Sequence, residues 1–224
     1  MAIYELVSVM AFIAALWWSV RSRNPMCLGA LIGGTLLFGF DWFWCGRSFF
    51  NATFSPDLTM IPGLHIQGQT YPVAAALNWG VGFGFVPFLI SQAHGSLSKH
   101  LRAWYCPVVL VVAAIFGMAV EIPMVSGLGM YTYHQAPEYL IYGVPWSNIW
   151  FNGMLVGLSY FGLVYAQKWA ALPEGCGFAL CSENTWKGFT MAAAALWSAL
   201  YFSGVIQLFW YSAVTPWVES GRLF

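Results

Sequence analysis

Residues 121–152 read EIPMVSGLGMYTYHQAPEYLIYGVPWSNIWFN, and the reading of this stretch decides the reading of the whole chain. A long apolar run ends at Glu121, and another opens at Pro145. Between them stand Gly129, Tyr131, Tyr133 and His134, then Gly143-Val144-Pro145-Trp146. Asn148 and Asn152 follow one helical turn apart. No other part of the chain sets so many polar groups beside so much apolar sequence. Pro123, Gly127, Gly129, Pro137 and Gly143 interrupt helical periodicity between 123 and 144. The segment is either a seventh short helix or a folded loop dipping into a helical bundle. Non-helical backbone at membrane depth is tolerated where protein or a water cavity covers it, and the density of breakers favours the loop. On that reading the stretch is one wall of a site inside the membrane, completed by the other helices.

The composition places that bundle in a bilayer. The chain of 224 residues is 60% hydrophobic, 19% aromatic and only 7% charged, against about 25% charged residues in soluble domains. Apolar runs of about 20 residues span a membrane. They fall at about 3–20, 26–45, 71–92, 104–122, 145–167 and 187–214. The expected fold is all-α, one integral membrane domain over 1–224 with six to seven transmembrane helices. Glu5 stands where a signal peptide would be basic, so the first run reads as a permanent helix. Gly80, Gly82 and Gly84 offer the small residues that let helices approach closely in lipid. Net charge is zero with scattered basic residues, which leaves no footprint for nucleic acid. Cys27, Cys45, Cys106, Cys176 and Cys181 show no CxxC spacing and read as free thiols.

Basic residues orient the bundle. Arg21, Arg23, Lys99, Arg102, Lys168 and Lys187 follow the first, third and fifth runs, and only Arg47 and Arg222 lie on the other side. The positive-inside rule then puts both termini outside the cytoplasm, and Cys176 and Cys181 in its reducing environment. In that frame Asp41, Asn78, Glu121, Asn148, Asn152, Gln207 and Tyr211 fall in one outer layer, with His65 and His134 in outer loops. The inner halves of the runs read as almost purely Ala, Val, Leu, Phe and Gly.

A carboxyl group inside a membrane costs a few kcal/mol and points to function. Glu121 and Asp41 are the candidates, each set against a structural hydrogen bond near the interface. In an apolar cavity a carboxylic acid kept neutral is a competent proton donor. Asn148 and Asn152 share a helix face at i, i+4, and Asn78, in the same outer layer, is a candidate to face them. These amides either orient acid and substrate or glue helices together. Trp42, Trp44, Trp79, Trp146, Trp150, Trp210, Tyr131 and Tyr133 fall in the same layer. An interfacial aromatic belt explains many of them. Ring faces also stabilise cations by about 0.5–2 kcal/mol each, so an acid among rings suits carbocation chemistry on an olefin.

Absences narrow the field. No Lys lies within a span to hold retinal, no His-rich boxes suggest a di-iron enzyme, and His65 and His134 have no partner at metal-ligand spacing. No DDxxD run suggests diphosphate ionisation with Mg²⁺, and no GxSxG suggests a hydrolase. No metal or other cofactor is expected.

Glu121, Gly129, Tyr131, Tyr133, Pro137, Leu140, Gly143, Val144 and Pro145 together resemble the pattern of the membrane-bound carotenoid hydratase family. Its members carry a helix-terminal glutamate, then Gly-x-Tyr-x-Tyr, then a Pro–Leu–Gly-Val-Pro run. Here the gap from glutamate to the first tyrosine is shorter, and Met130 brings no aromatic before it. The resemblance covers about 30 of the 224 residues. In size and helix number the chain is also similar to the small transmembrane terpene cyclases. Both resemblances imply cation generation on a lipid-soluble isoprenoid, ended by cyclisation or by hydration. The short chain and dry site favour cyclisation. The expected roles are Glu121 and Asp41 as acids, with Asn78, Trp79, Tyr131, Tyr133, Asn148, Trp150 and Asn152 against the substrate. A transporter is the first rival, but no inverted repeat stands out and the polar layer does not cross the membrane. A non-catalytic membrane subunit is the second.

Overall fold

The computed structural model describes residues 2–40, 52–55, 63–66, 69–134, 140–171 and 182–219. These are mostly helical. Helix α1 spans Ala2–Arg21, α2 Pro25–Leu37, and α3 Val73–Ser91 with a π-helical turn at Gly80–Phe85. A short α4 (His94–Leu101) leads into α5 (Tyr105–Ile122), which runs on through a π turn at Pro123–Gly127. Helix α6 spans Trp146–Ala170, and α7 spans Glu183–Glu219. Among the described residues, four stretches are long and apolar enough to cross a membrane: Tyr4–Arg21, Val73–Ser91, His94–Gly127 and Glu183–Trp210. Their outer faces carry large apolar side chains such as Met10, Trp17, Ile115, Phe202 and Phe209, all more than half exposed. That surface suits lipid and not water, so this is a membrane protein.

Helix α2 is the centre. Asn24 caps it by accepting from the Met26 amide at 3.0 Å, and Pro25 opens its first turn. Cys27, Ala30, Leu31 and Leu37 are fully buried, because α7, α3 and α1 all pack around it. Small residues allow the closest approach. A Cβ on Gly84 of α3 would strike the carbonyl oxygen of Ala30, and one on Gly34 would lie 3.0 Å from the Gly84 Cα. Helix α7 also packs along α6, α6 along α5, and α3 against α6 and α1. The extensive helix contacts of α5 are with α6. Both π turns adjoin prolines, Pro87 just after the first and Pro123 opening the second. A proline ring clashes with the carbonyl four residues back, and a widened turn relieves that clash.

Among the described residues, three antiparallel strand pairs decorate one end of the bundle. Strand β1 (Ala52–Phe54) pairs with β4 (Tyr131–Tyr133), β2 (Leu64–Ile66) with β3 (Gln69–Tyr71), and β5 (Leu140–Ile141) with β6 (Val144–Pro145). The segment 123–144 is therefore not a seventh helix where it is described. It leaves α5 by the π turn and passes Gly129 at φ +58. It then forms β4 and turns at Gly143, φ +79, in the left-handed region that glycine occupies without strain. Other boundaries also move. The α-helical part of α2 stops at Leu37, followed by a 3₁₀ turn at Phe38–Phe40. Asp41 and the rest of the expected 26–45 run lie outside the described residues. Tyr71 belongs to β3, so α3 begins at Val73 with Pro72 as its N-cap. Helix α7 starts four residues before the expected 187.

Candidate functional site

Strand alternation turns the Tyr-x-Tyr spacing into geometry. Successive side chains of a strand point to opposite faces, so Tyr131 and Tyr133 are buried while Thr132 between them is exposed. The pairing sets Phe54 opposite Tyr131, with ring centroids 5.3 Å apart, and the Tyr131 and Tyr133 rings meet edge to face at 5.6 Å. This aromatic face caps a cavity of about 300 Å³.

Glu121, on the last turn of α5, projects its buried carboxyl group into the cavity. Tyr133 Oη donates to Oε1 at 2.5 Å, and Asn148 Nδ2 donates to the same oxygen at 2.9 Å. Asn152 Nδ2 donates to Oε2 at 3.3 Å. The i, i+4 spacing thus brings two amides of α6, about 6 Å apart along its axis, to the two oxygens of one carboxyl. Asn148 also donates to Tyr133 Oη at 2.7 Å, closing a triangle, and the Tyr131 hydroxyl is a further hydrogen-bond partner of Glu121. On another wall Asn78 of α3 donates to Tyr4 Oη of α1 at 2.5 Å. The remaining surface is largely apolar and aromatic. Trp79 and Phe83 pair at 4.7 Å, and Phe116, Val120, Met124, Phe151 and Val156 lie in the same lining.

Of the residues expected in the site, Asn78, Trp79, Glu121, Tyr131, Tyr133, Asn148 and Asn152 all line this cavity. Trp150 does not: it is half-exposed on the bundle surface and outside the lining. Residues two apart on a helix face opposite ways, so a position between Asn148 and Asn152 points away from both. Asp41 lies outside the described residues. Gln207 is buried but not in the lining. His134 is exposed, with Nε2 2.6 Å from Thr53 Oγ1, and the side chains of His65, Trp146 and Tyr211 lie outside the description.

Five aromatic lining residues escaped the sequence reading: Tyr4, Phe54, Phe83, Phe116 and Phe151. Tyr4 alone carried a readable signal, a hydroxyl in the first turn of a membrane helix. Phe54 reaches the site only through pairing with a strand nearly eighty residues away.

Chemically, the arrangement offers one carboxyl group, held in place by hydroxyl and amide donors, at the polar end of an apolar chamber. It can pass a proton to an apolar ligand and stabilise the anion left behind. Its rings face a developing positive charge. Among the described residues, no three His, Cys, Asp or Glu side chains assemble as a metal ligand set. The chain matches no family model, and no curated protein or solved structure matches it.

Proposed function

We propose that this protein is an integral membrane enzyme that protonates an olefin or epoxide of an isoprenoid lipid and guides the resulting cation to a cyclised product. The observation that carries the proposal is the buried Glu121 carboxyl, bonded by Tyr133, Asn148 and Asn152, at the head of a chamber walled by Trp79, Phe83, Tyr131 and Phe151. Glu121 is the acid. Proton transfer leaves a carboxylate, which the three donors stabilise without rearrangement, and the ring-closed cation loses a proton to that carboxylate, which gives a neutral product and restores the acid. Tyr133 and the two asparagines hold the carboxyl in one rotamer, and the rings accept the cation. Burial among apolar walls limits water and favours ring closure over hydration. The same site serves a carotenoid or isoprenoid hydratase when a water is admitted beside the cation. The resemblance of residues 121–145 to carotenoid hydratases belongs with this proposal.

The fold and orientation form part of the proposal. Six helices, α1, α2, α3, α5, α6 and α7, cross the bilayer, with the cavity end outside the cytoplasm. The basic residues after α1, α3 and α6 motivate the orientation. A cysteine introduced at the exposed Ser96 should react with a membrane-impermeant maleimide only after the membrane is opened. A cysteine at Asp57 should react from outside. Labelling of Ser96 in intact cells reverses the orientation.

The decisive test begins with mass spectrometry of lipids from cells with and without the gene, which identifies the isoprenoid consumed. Turnover of that lipid by purified Glu121→Gln follows. The variant keeps the shape and most hydrogen bonds but has no acidic proton. Turnover should fall by the ~10²–10⁴-fold that proton transfer contributes, while Glu121→Asp keeps partial activity. Wild-type turnover in Glu121→Gln moves the acid role to Asp41, and wild-type turnover in Asp41→Asn as well ends the acid-catalysis reading.

A further inference from the structure

The cavity has a direction. Its polar head, with Glu121, Tyr133 and Asn148, lies under the strand cap. Its apolar end, with Gly82, Phe83, Phe116, Gly117 and Val156, lies deeper. From Asn148 to Val156 along α6 is about 12 Å. Gly82 is the tenth residue of the nineteen-residue span Val73–Ser91, so the deep end reaches the level of the bilayer centre.

That end is also where the bundle is open. Helix α5 packs along α6, and among the described residues no extensive contact joins it to α3. Phe116 and Val120 of α5 line the cavity and stay 40% and 41% exposed, while Glu121 and Gly117 beside them are buried. Lining side chains this open stand at the rim of the cavity. On the opposite edge, a Cβ added to Gly82 would meet nothing within 4 Å, although Gly80 and Gly84 beside it are packed tightly against α2. In a helix otherwise tightened by glycines, Gly82 leaves the α3 wall of the cavity without a side chain.

The geometry points to a lateral portal between α3 and α5, through which a single-chain lipid lies with its reactive end at Glu121 and its tail in the bilayer. This rests on the isoprenoid reading above and extends it to the kind of substrate. A cavity of about 300 Å³ is at the small end of the ~300–1,000 Å³ of ligand pockets. A longer chain therefore fits only if its tail leaves the cavity, and at this depth it leaves into hydrocarbon. The substrate class is a linear prenyl chain reacting at one terminus, delivered from the membrane and not from water.

The test uses the full chain in phosphatidylcholine vesicles, with a farnesol bearing a diazirine next to its hydroxyl end as probe. Photolysis should label Glu121 and Asn152 inside the cavity, and excess unlabelled farnesol should suppress that labelling. Gly82→Trp fills the rim from one side and Val120→Trp from the other. Each should cut labelling of Glu121 by about tenfold or more with the melting midpoint unchanged. Ile115→Trp, on the lipid-facing side of α5 and outside the lining, should leave it unchanged. Wild-type labelling of Glu121 in either folded rim variant overturns the portal. The acid reading fails separately. Glu121→Gln with full turnover sinks the chemistry while rim-dependent labelling of Asn152 keeps the portal.

Discussion

The two ends of the bundle both bury polar side chains, and they use them differently. At the capped end, Glu121, Tyr133, Asn148 and Asn152 bond to one another around a cavity. At the other end, His94 Nδ1 lies 2.7 Å from Tyr105 Oη, which lies 2.5 Å from Tyr160 Oη. Gln167 donates to Ser91 Oγ at 2.5 Å, and Ser91 donates to the Phe88 carbonyl. These groups are consumed by packing. The Tyr105 ring meets His94, Tyr160 and Phe161 edge to face. Polarity at membrane depth therefore does not by itself mark a site. A carboxyl group facing unfilled space does, because its hydrogen bonds leave a reactive face toward a ligand.

Four substitutions can break this contrast, and the largest effect belongs to Glu121→Gln. Its expected ~10²–10⁴-fold loss of turnover corresponds to about 2.7–5.4 kcal/mol of barrier. A comparable loss on changing any residue of the far cluster would erase the distinction between the ends. Tyr133→Phe comes next. It keeps the ring toward the cavity and removes one donor to the carboxyl. A hydrogen bond to a charged group is worth about 1.5–3 kcal/mol, so turnover should drop by roughly tenfold to a hundredfold in a folded protein. A loss as large as that of Glu121→Gln would mean that the hydroxyl itself delivers the proton.

The third substitution tests packing instead of chemistry. Gly84→Ala drives a methyl group into the Ala30 carbonyl where α3 meets α2, and overpacking costs about 1–3 kcal/mol. Gly82→Ala, two residues away and open to the cavity, should cost no stability. Unfolding in a denaturing detergent titration measures both. Equal stability of the two variants would show that α2 and α3 can separate without penalty, against the packing described above.

The site was legible in the sequence where local periodicity controls it. Tyr131 and Tyr133 share a face because strands alternate, and Asn148 and Asn152 because helices repeat at i, i+4. The same rule places Trp150 on the opposite face, and a helical wheel alone suffices to remove it. The glycine run was only partly legible. Gly80 and Gly84 fit against α2, but Gly82 between them faces the cavity. What stayed hidden depends on long-range pairing: Phe54 on Tyr131, and Tyr4 on Asn78. The far polar cluster was hidden for a different reason. The inner halves of the spans read as almost purely apolar, and only the fold brings His94, Tyr105 and Tyr160 together. The buried Glu5, beside Tyr4 on α1, was read only as an argument against a signal peptide.

The smallest expected effect is the most specific to the contrast between the ends. Tyr105→Phe removes a hydroxyl that bridges His94 and Tyr160. Hydrogen bonds between membrane helices contribute about 0.6 kcal/mol on average and up to about 1.7. The variant should lose stability of that order for each bond. Tyr160→Phe should lose less, since it breaks only one of the two contacts shown. In the double variant the losses should fall short of additive by the energy of the shared bond, which a double-mutant cycle reads directly. Turnover should stay at the wild-type level in all three, because none of these groups lines the cavity. Full stability with impaired turnover would be the opposite pattern. It would mean that the far cluster communicates with Glu121 through the shared helices α5 and α6, and that the two ends work as one device.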